Sequence, residues 1–162
     1  MKPLVAQLRA AEEAIAAADA EIMAWHKGNE ASRRLETIPG VGFRTASAIV
    51  ATVPDPSFFR SGREFAAWLG LVPRQNSSGD KKRLGRISKQ GNRYIRKLLV
   101  LGATSTLRSA RAGRAPGADW VNGLLERRPP RLVTVAMANK TARIAWALLA
   151  KGETYRAPGA AA

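Results

Sequence analysis

Seven apolar residues near the amino end recur at alternating spacings of four and three positions, which restricts this part of the chain to a helix with one apolar stripe. This spacing is that of a coiled-coil seam or of a long packed helix. We expect residues 1–30 to form a coiled-coil helical arm that makes a homo-oligomer through residues 4–25. A helix folded back on its own domain is the alternative. The stripe consists of Leu4, Leu8, Ala11, Ile15, Ala18, Ile22 and Trp25.

The apolar residues of the remaining chain recur mainly at helical spacing, so we predict an all-α fold. A small helical domain is expected over residues 31–155, with a basic, serine-containing loop at residues 72–92. Two helices at the start of this domain flank the glycine-containing segment from Ile38 to Gly42. The last residues, 156–162, read RAPGAAA and are expected to be disordered.

The segment Ile38 to Gly42 reads IPGVG and lies between two predicted helices. Glycine permits backbone conformations that other residues resist, and the free amides at the start of the second helix favour an anion. Over LETIPGVGFRTASAIVATV the sequence resembles the helix-hairpin-helix modules, whose hairpin amides hold the DNA backbone without reading its sequence. A tight turn without a ligand is the alternative. The resemblance implies DNA contacts at Gly40, Gly42, Arg44 and Thr45.

Residues Pro73 to Lys97 read PRQNSSGDKKRLGRISKQGNRYIRK and contain nine Lys and Arg residues against one acid. A segment with this much charge cannot be core. Because nucleic-acid phosphates attract Lys and Arg and release counterions on contact, the segment is typical of a DNA- or RNA-binding surface. A solvated face is the alternative for the cations on helices. The candidate contacts are Arg74, Lys81, Lys82, Arg83, Arg86, Lys89, Arg93 and Arg96, together with Lys140 and Arg143 on the last predicted helix.

The composition narrows the classes of partner and site. The 162 residues contain 27 Lys and Arg against 12 acids, a formal net charge of +15, which favours polyanionic partners. There is no cysteine, and His26 is the single histidine, which excludes disulfides, thiolate metal sites and multi-histidine sites. No apolar run of about 18 residues and no signal-peptide pattern occur, so we expect a cytoplasmic protein without a membrane partner.

Three motifs occur in the order IPGVGFRTASAIVA, FAAWLGLVPRQNSSGDKKRLGRISKQGNRYIRKLLVLGA and MANKTARIAWALLAKGETY. Together they resemble the carboxy-terminal transposase domain of the DEDD-type, Piv-invertase-like bacterial insertion-sequence transposases, the IS one-ten family. The resemblance covers about Leu35 to Tyr155. It implies metal-assisted cleavage and joining of DNA strands with a serine nucleophile. It also implies, for some members, a structured noncoding RNA as guide.

The resemblance places the nucleophile in the basic loop. We favour Ser78 over Ser77, because Ser78 directly precedes a glycine, the pair that the family pattern keeps. A serine hydroxyl is a poor nucleophile at neutral pH and needs a base, a metal or positive surroundings. Arg74, Lys81 and Arg83 would hold the phosphate and stabilise charge in the transition state. Composition alone would favour two serines that merely lie in a flexible loop.

Complete family members carry an Asp-Glu-Asp-Asp metal site on an amino-terminal RuvC-like domain. The acids of this chain are scattered, so we expect no cofactor in it and Mg²⁺ in an absent RuvC-like domain. The expectation is therefore a truncated reading frame, an excised domain or one part of a split enzyme, which needs a RuvC-like partner for cleavage. The competing class is a non-enzymatic module that holds the backbone of DNA or structured RNA.

Overall fold

A computed structural model of the chain describes residues 2–75, 84–114 and 118–157. These residues form seven α-helices, one short 3₁₀ turn and one two-stranded sheet, which confirms the all-α class. The elements are α1 Lys2–Gly28, α2 Glu30–Glu36, α3 Phe43–Thr52, the 3₁₀ turn Pro56–Phe58, α4 Gly62–Trp68, β1 Pro73–Gln75, β2 Leu84–Ile87, α5 Arg93–Arg111, α6 Ala118–Leu125 and α7 Pro130–Lys151.

Polar side chains set the starts of three helices. Asn29 accepts a hydrogen bond from the Ser32 amide before α2, and Asn92 accepts one from the Ile95 amide before α5. The Ser61 hydroxyl accepts from the amide of a residue in the first turn of α4. Each bond satisfies an amide that the helix itself leaves unpaired. These helices therefore begin where a polar side chain supplies the missing acceptor.

Helix α7 is central to the core, because it contacts α2, α4, α5 and α6. Its inward face is made of small and branched residues such as Val133 and Ala145, which are 1% and 0% exposed. The small residues let neighbouring helices approach closely. The largest fully buried side chains around it are Leu35, Ile49, Phe65, Leu69, Leu71, Ile95 and Leu99.

Helix α1 extends away from this core. Residues 3–18 are all exposed, and the apolar stripe includes Leu4 at 70%, Leu8 at 60% and Ile15 at 60% exposure. The carboxyl-terminal part of α1 packs on α2 and α3. There His26 is 3% exposed and contacts two residues of α2. The helix is therefore anchored at one end, and the stripe residues from Leu4 to Ala18 are exposed within the described part of this chain.

The basic loop contains two short strands that the sequence did not predict. Strands β1 and β2 are antiparallel, with Pro73 opposite Ile87 and Gln75 opposite Leu84, and the register is irregular between these pairs. Strands of three and four residues are too short to give an alternating pattern of hydropathy. Residues 76–83 connect the strands in the sequence and lie outside the described residues.

Candidate nucleic-acid interface

Backbone hydrogen bonds join the segment before β1 to the segment after β2. The Ser88 amide donates to the Val72 carbonyl, and the Lys89 amide donates to the Gly70 carbonyl, at 2.9 and 3.1 Å. Arg74 adds a side-chain bond from Nη2 to the Ser88 carbonyl at 3.3 Å. These bonds hold the segments on both sides of the basic loop together, so its described cations share one region of the surface.

The cations of this region are exposed. Arg74 and Arg86 lie on the strands, Lys89 lies in the turn that follows, and Arg93 and Lys97 lie on the first turns of α5. The sequence contains no Asp or Glu between Asp80 and Asp119, so no carboxylate of the same segment neutralises them. We name these five residues the basic surface. A surface of this charge attracts phosphates over several ångströms and binds them in a salt-dependent way.

The Arg96 side chain hydrogen-bonds the protein's own backbone and is not free in solvent. Its Nη1 donates to the carbonyl oxygens of Leu69 and Gln90, at 2.8 and 2.9 Å, and the side chain is partly buried. These two bonds connect the end of α4 with the turn before α5. In this structure the Arg96 guanidinium bonds the protein's own backbone, and the phosphate contact that the sequence predicts at Arg96 stays a prediction.

The predicted nucleophile is not among the described residues. Ser78 and Ser77, together with Lys81, Lys82 and Arg83, lie in residues 76–83, whose structure is not described. The described strands end at Gln75 and begin again at Leu84, directly on either side of these residues. The roles of the two serines and the three cations therefore stay predictions.

The turn between α2 and α3 exposes both of its glycines. Gly40 has a φ of +83°, a conformation that favours glycine, and a Cβ atom there would lie 2.5 Å from Thr106 Oγ1 on α5. Gly42 precedes the first turn of α3, and no side chain caps that helix. Gly40 therefore has a packing role, and the first amides of α3 have no side-chain partner.

Arg44 and Thr45 are occupied by contacts within the protein. Arg44 forms a bidentate ion pair with Asp19 of α1, with Nε donating to Oδ1 at 2.6 Å and Nη2 donating to Oδ2. This hydrogen bonding lowers the pKa of Asp19 and raises the pKa of Arg44. Thr45 is only 6% exposed. The side chain of Thr45 is thus buried and the charge of Arg44 is neutralised locally, while the DNA contacts predicted at these two residues stay predictions.

Lys140 and Arg143 lie apart from the basic surface, in a cleft between the start of α4, α6 and α7. Arg63 contributes a third cation to this cleft, and Trp120 contributes an indole that is 43% exposed. The sequence gave no signal for Arg63, because this residue joins the other cations only through the packing of α4 against α7. We name this feature the α4–α7 cleft.

The described residues contain no group of three or more His, Asp or Glu side chains placed to hold a metal ion. The acids near the site are used otherwise: Asp19 pairs with Arg44, and Glu64 accepts a hydrogen bond from the Arg60 amide. Among the helices that the structure describes, none is long and apolar enough to cross a membrane.

An all-α domain with an exposed basic surface and no neutralising acids is typical of nucleic-acid-binding proteins. Residues 32–116, about half of the chain, match the Transposase IS116/IS110/IS902 family. The chain belongs to this family.

Several proteins of similar sequence are named as transposases. A transposase of Sinorhizobium fredii is 50% identical over 139 residues, which are 85% of this chain and 36% of the relative. A family 20 transposase of Pseudomonas aeruginosa is 45% identical over 98% of this chain and 47% of its own length. The transposase for insertion sequence element IS1111A of Coxiella burnetii is 44% identical over 94% of this chain and 42% of its own length. The chain thus spans less than half the length of these relatives.

Proposed function

We propose that this chain is the DNA-binding transposase domain of a bacterial insertion-sequence element, acts in the cytoplasm, and supplies Ser78 as the nucleophile for strand cleavage and joining. The observation that supports the proposal best is the position of β1 and β2. The two strands directly precede and follow residues 76–83 in the sequence and carry the exposed cations Arg74 and Arg86. A phosphate bound by these cations would lie close to the residues that flank the serine-containing segment in the sequence.

The reaction follows from the chemistry of a phosphodiester. The Oγ of Ser78 loses its proton to a base and forms a bond to phosphorus, while the phosphorus–oxygen bond to the departing strand breaks. The departing oxygen takes a proton, and joining is the reverse step with the hydroxyl of the incoming strand. Arg74, with Lys81 and Arg83, would stabilise the charge that builds up on the five-coordinate transition state.

We propose that the acidic residues for this reaction lie on another domain. The described residues of this chain do not offer a set of metal ligands. In the DEDD-type arrangement, which stays a proposal here, a RuvC-like domain would hold Mg²⁺ and lower the energy of the charged transition state. On this view the chain binds DNA by itself and cleaves it only with the acidic domain.

The turn between α2 and α3 is proposed as a second backbone contact of the helix-hairpin-helix kind. The amides at the start of α3 after Gly42 have no side-chain cap, and both Gly40 and Gly42 are exposed. A helix N-terminus of this kind favours a phosphate oxygen. Because Arg44 is paired with Asp19, we assign the contact to the backbone amides and not to the arginine.

The exposed stripe on α1 supports a proposal of self-association through residues 4–25. Three large residues of this stripe, Leu4, Leu8 and Ile15, are at least 60% exposed, which is unfavourable in water, and a second helix of the same kind would bury them. The Ile15→Asp variant is expected to dissociate the oligomer in sedimentation experiments. Ala17→Asp adds the same charge off the stripe and serves as its matched control; a monomeric wild-type chain would contradict the proposal.

The decisive test uses the full chain, a separately expressed RuvC-like domain from a full-length family member, Mg²⁺ and an element end. We expect a covalent protein–DNA complex that is lost in Ser78→Ala and kept in Ser77→Ala. Binding of the element end without a covalent complex in the wild type would favour the alternative, a non-enzymatic module. Replacing the DNA by structured RNA from the element tests the RNA form of that alternative.

A further inference from the structure

We propose that the α4–α7 cleft binds an unpaired nucleotide of a nucleic-acid strand. The volume of the cleft is about 810 Å³. This volume is within the range of small-ligand pockets, roughly 300–1,000 Å³. No residue of the basic surface lines it. The side chains that carry the proposal are Arg63, Trp120, Asn139, Lys140, Arg143 and Trp146.

The charge of the cleft fits a phosphate. Arg63, Lys140 and Arg143 line it, and no carboxylate does. Within the described ranges, none of the three forms an ion pair with an acid. Three unneutralised cations around one concave space repel each other, and an anion between them relieves this repulsion. The favoured ligand is therefore anionic.

The aromatic lining distinguishes a nucleotide from a simple anion. Trp120 is 43% exposed, and the Lys140 ammonium lies 3.9 Å from the centre of its ring, a cation–π contact. The Trp146 Nε1 donates to the Pro56 carbonyl at 3.1 Å, which fixes the orientation of a second indole. Indoles beside cations form the stacking surfaces of single-strand-binding proteins. The bases of a duplex are already stacked on each other, so a duplex would contact only the cations.

One side chain connects the cleft to the β-hairpin. Asn139 lines the cleft, and its Nδ2 donates to the Leu71 carbonyl at 3.2 Å, two residues before β1. A strand that is unpaired near the hairpin therefore has a neighbouring site for one of its bases. The proposal goes beyond the serine chemistry and does not depend on Ser78.

The experiment measures binding of labelled single strands of about 12 nucleotides, oligothymidylate and oligouridylate, and of a DNA duplex of the same length. Trp120→Leu is expected to weaken single-strand binding about tenfold, and to leave duplex binding within about twofold, because it removes a stacking surface and no charge. Phe58→Leu removes an aromatic ring that is 73% exposed in the 3₁₀ turn and does not line the cleft; it is the control and should change neither. The more tightly bound oligonucleotide identifies DNA or RNA as the source of the nucleotide.

A second pair of variants tests the cations. Lys140→Gln should weaken single-strand binding more than Lys151→Gln, which removes the same charge at the exposed end of the same helix. Thermal unfolding of each variant shows that it is folded. Equal losses at Lys140 and Lys151, unchanged binding in Trp120→Leu, or an equal loss of duplex binding would overturn the proposal. Because the readout is binding, its failure is distinct from a missing Ser78 adduct.

Discussion

The carbonyl oxygen of Gly40 lies so close to Gly102 that a Cβ atom at Gly102 would be only 1.9 Å from it. The backbone of the turn between α2 and α3 therefore packs directly on the backbone in the middle of α5. Helix α5 carries Arg93 and Lys97 of the basic surface in its first turns. The glycine pair therefore fixes the proposed backbone contact at the turn relative to the basic surface.

Gly102→Ala is expected to destabilise the chain by about 1–3 kcal/mol, because the backbone of the turn must move to make room for the methyl group. Gly123→Ala is the matched control, since Gly123 also lies within a helix and a Cβ there would meet nothing within 4 Å. Alanine should stabilise that helix by up to about 1 kcal/mol. Chemical denaturation measures both changes. Equal stability of the two variants would show that the glycine contact is not close.

Arg96→Ala should lower the free energy of unfolding by about 1–2 kcal/mol, because two carbonyl oxygens lose a charged hydrogen-bond donor. Arg93→Ala, one helical turn away and exposed, should change it by less than about 0.5 kcal/mol. The Arg93 variant should instead reduce the dependence of DNA affinity on salt by about one unit of slope. Denaturation and binding across a salt series separate the two roles.

His26→Ala should destabilise the chain by about 2–4 kcal/mol, because it leaves a cavity and removes partners from buried groups. The His26 ring bonds to Ser32 Oγ at 2.7 Å and to Glu36 Oε2 at 2.8 Å, and so joins α1 to α2. Lys27→Ala, an exposed neighbour, is its control and should be nearly neutral. If both variants melt at the wild-type temperature, the buried histidine does not anchor α1.

The ion pair of Asp19 and Arg44 predicts a pH dependence. The pKa of Asp19 lies below its usual value of 3.8 in the folded chain, because Arg44 hydrogen-bonds the carboxylate. Above pH 3.8 the carboxylate is charged in the folded and unfolded states, and the stabilisation is fully present. As the pH falls through the lowered pKa, the stabilisation is lost.

Asp19→Asn should therefore be less stable than the wild type at pH 7, and the difference should shrink as the pH falls below about 3.8. Thermal unfolding of both proteins from pH 7 to strongly acidic pH measures the difference. Because the pair is exposed, added salt should also reduce it at pH 7. A difference that does not vary with pH would mean that the asparagine variant loses something other than the charge.

The sequence alone determined the helices, the basic segment and the apolar stripe of α1, because each depends on the spacing or composition of nearby residues. The residues before the helices, such as Asn29 and Asn92, also act locally, through bonds to amides three positions away. The three motifs likewise indicated the family to which residues 32–116 belong. Local chemistry is sufficient for these features.

Only the tertiary structure decided which cations are free. Arg44 and Arg96 look like other arginines in the sequence, but the Arg44 guanidinium binds the carboxylate of Asp19 and the Arg96 guanidinium binds the carbonyl of Leu69, both from distant segments. Arg63 joins Lys140 and Arg143 because α4 packs on α7. A sequence shows which residues carry charge. It does not show which carboxylate neutralises a given cation or which cations line the same cleft, because these residues lie far apart in the chain. Such contacts depend on how the helices pack, which the local pattern does not encode.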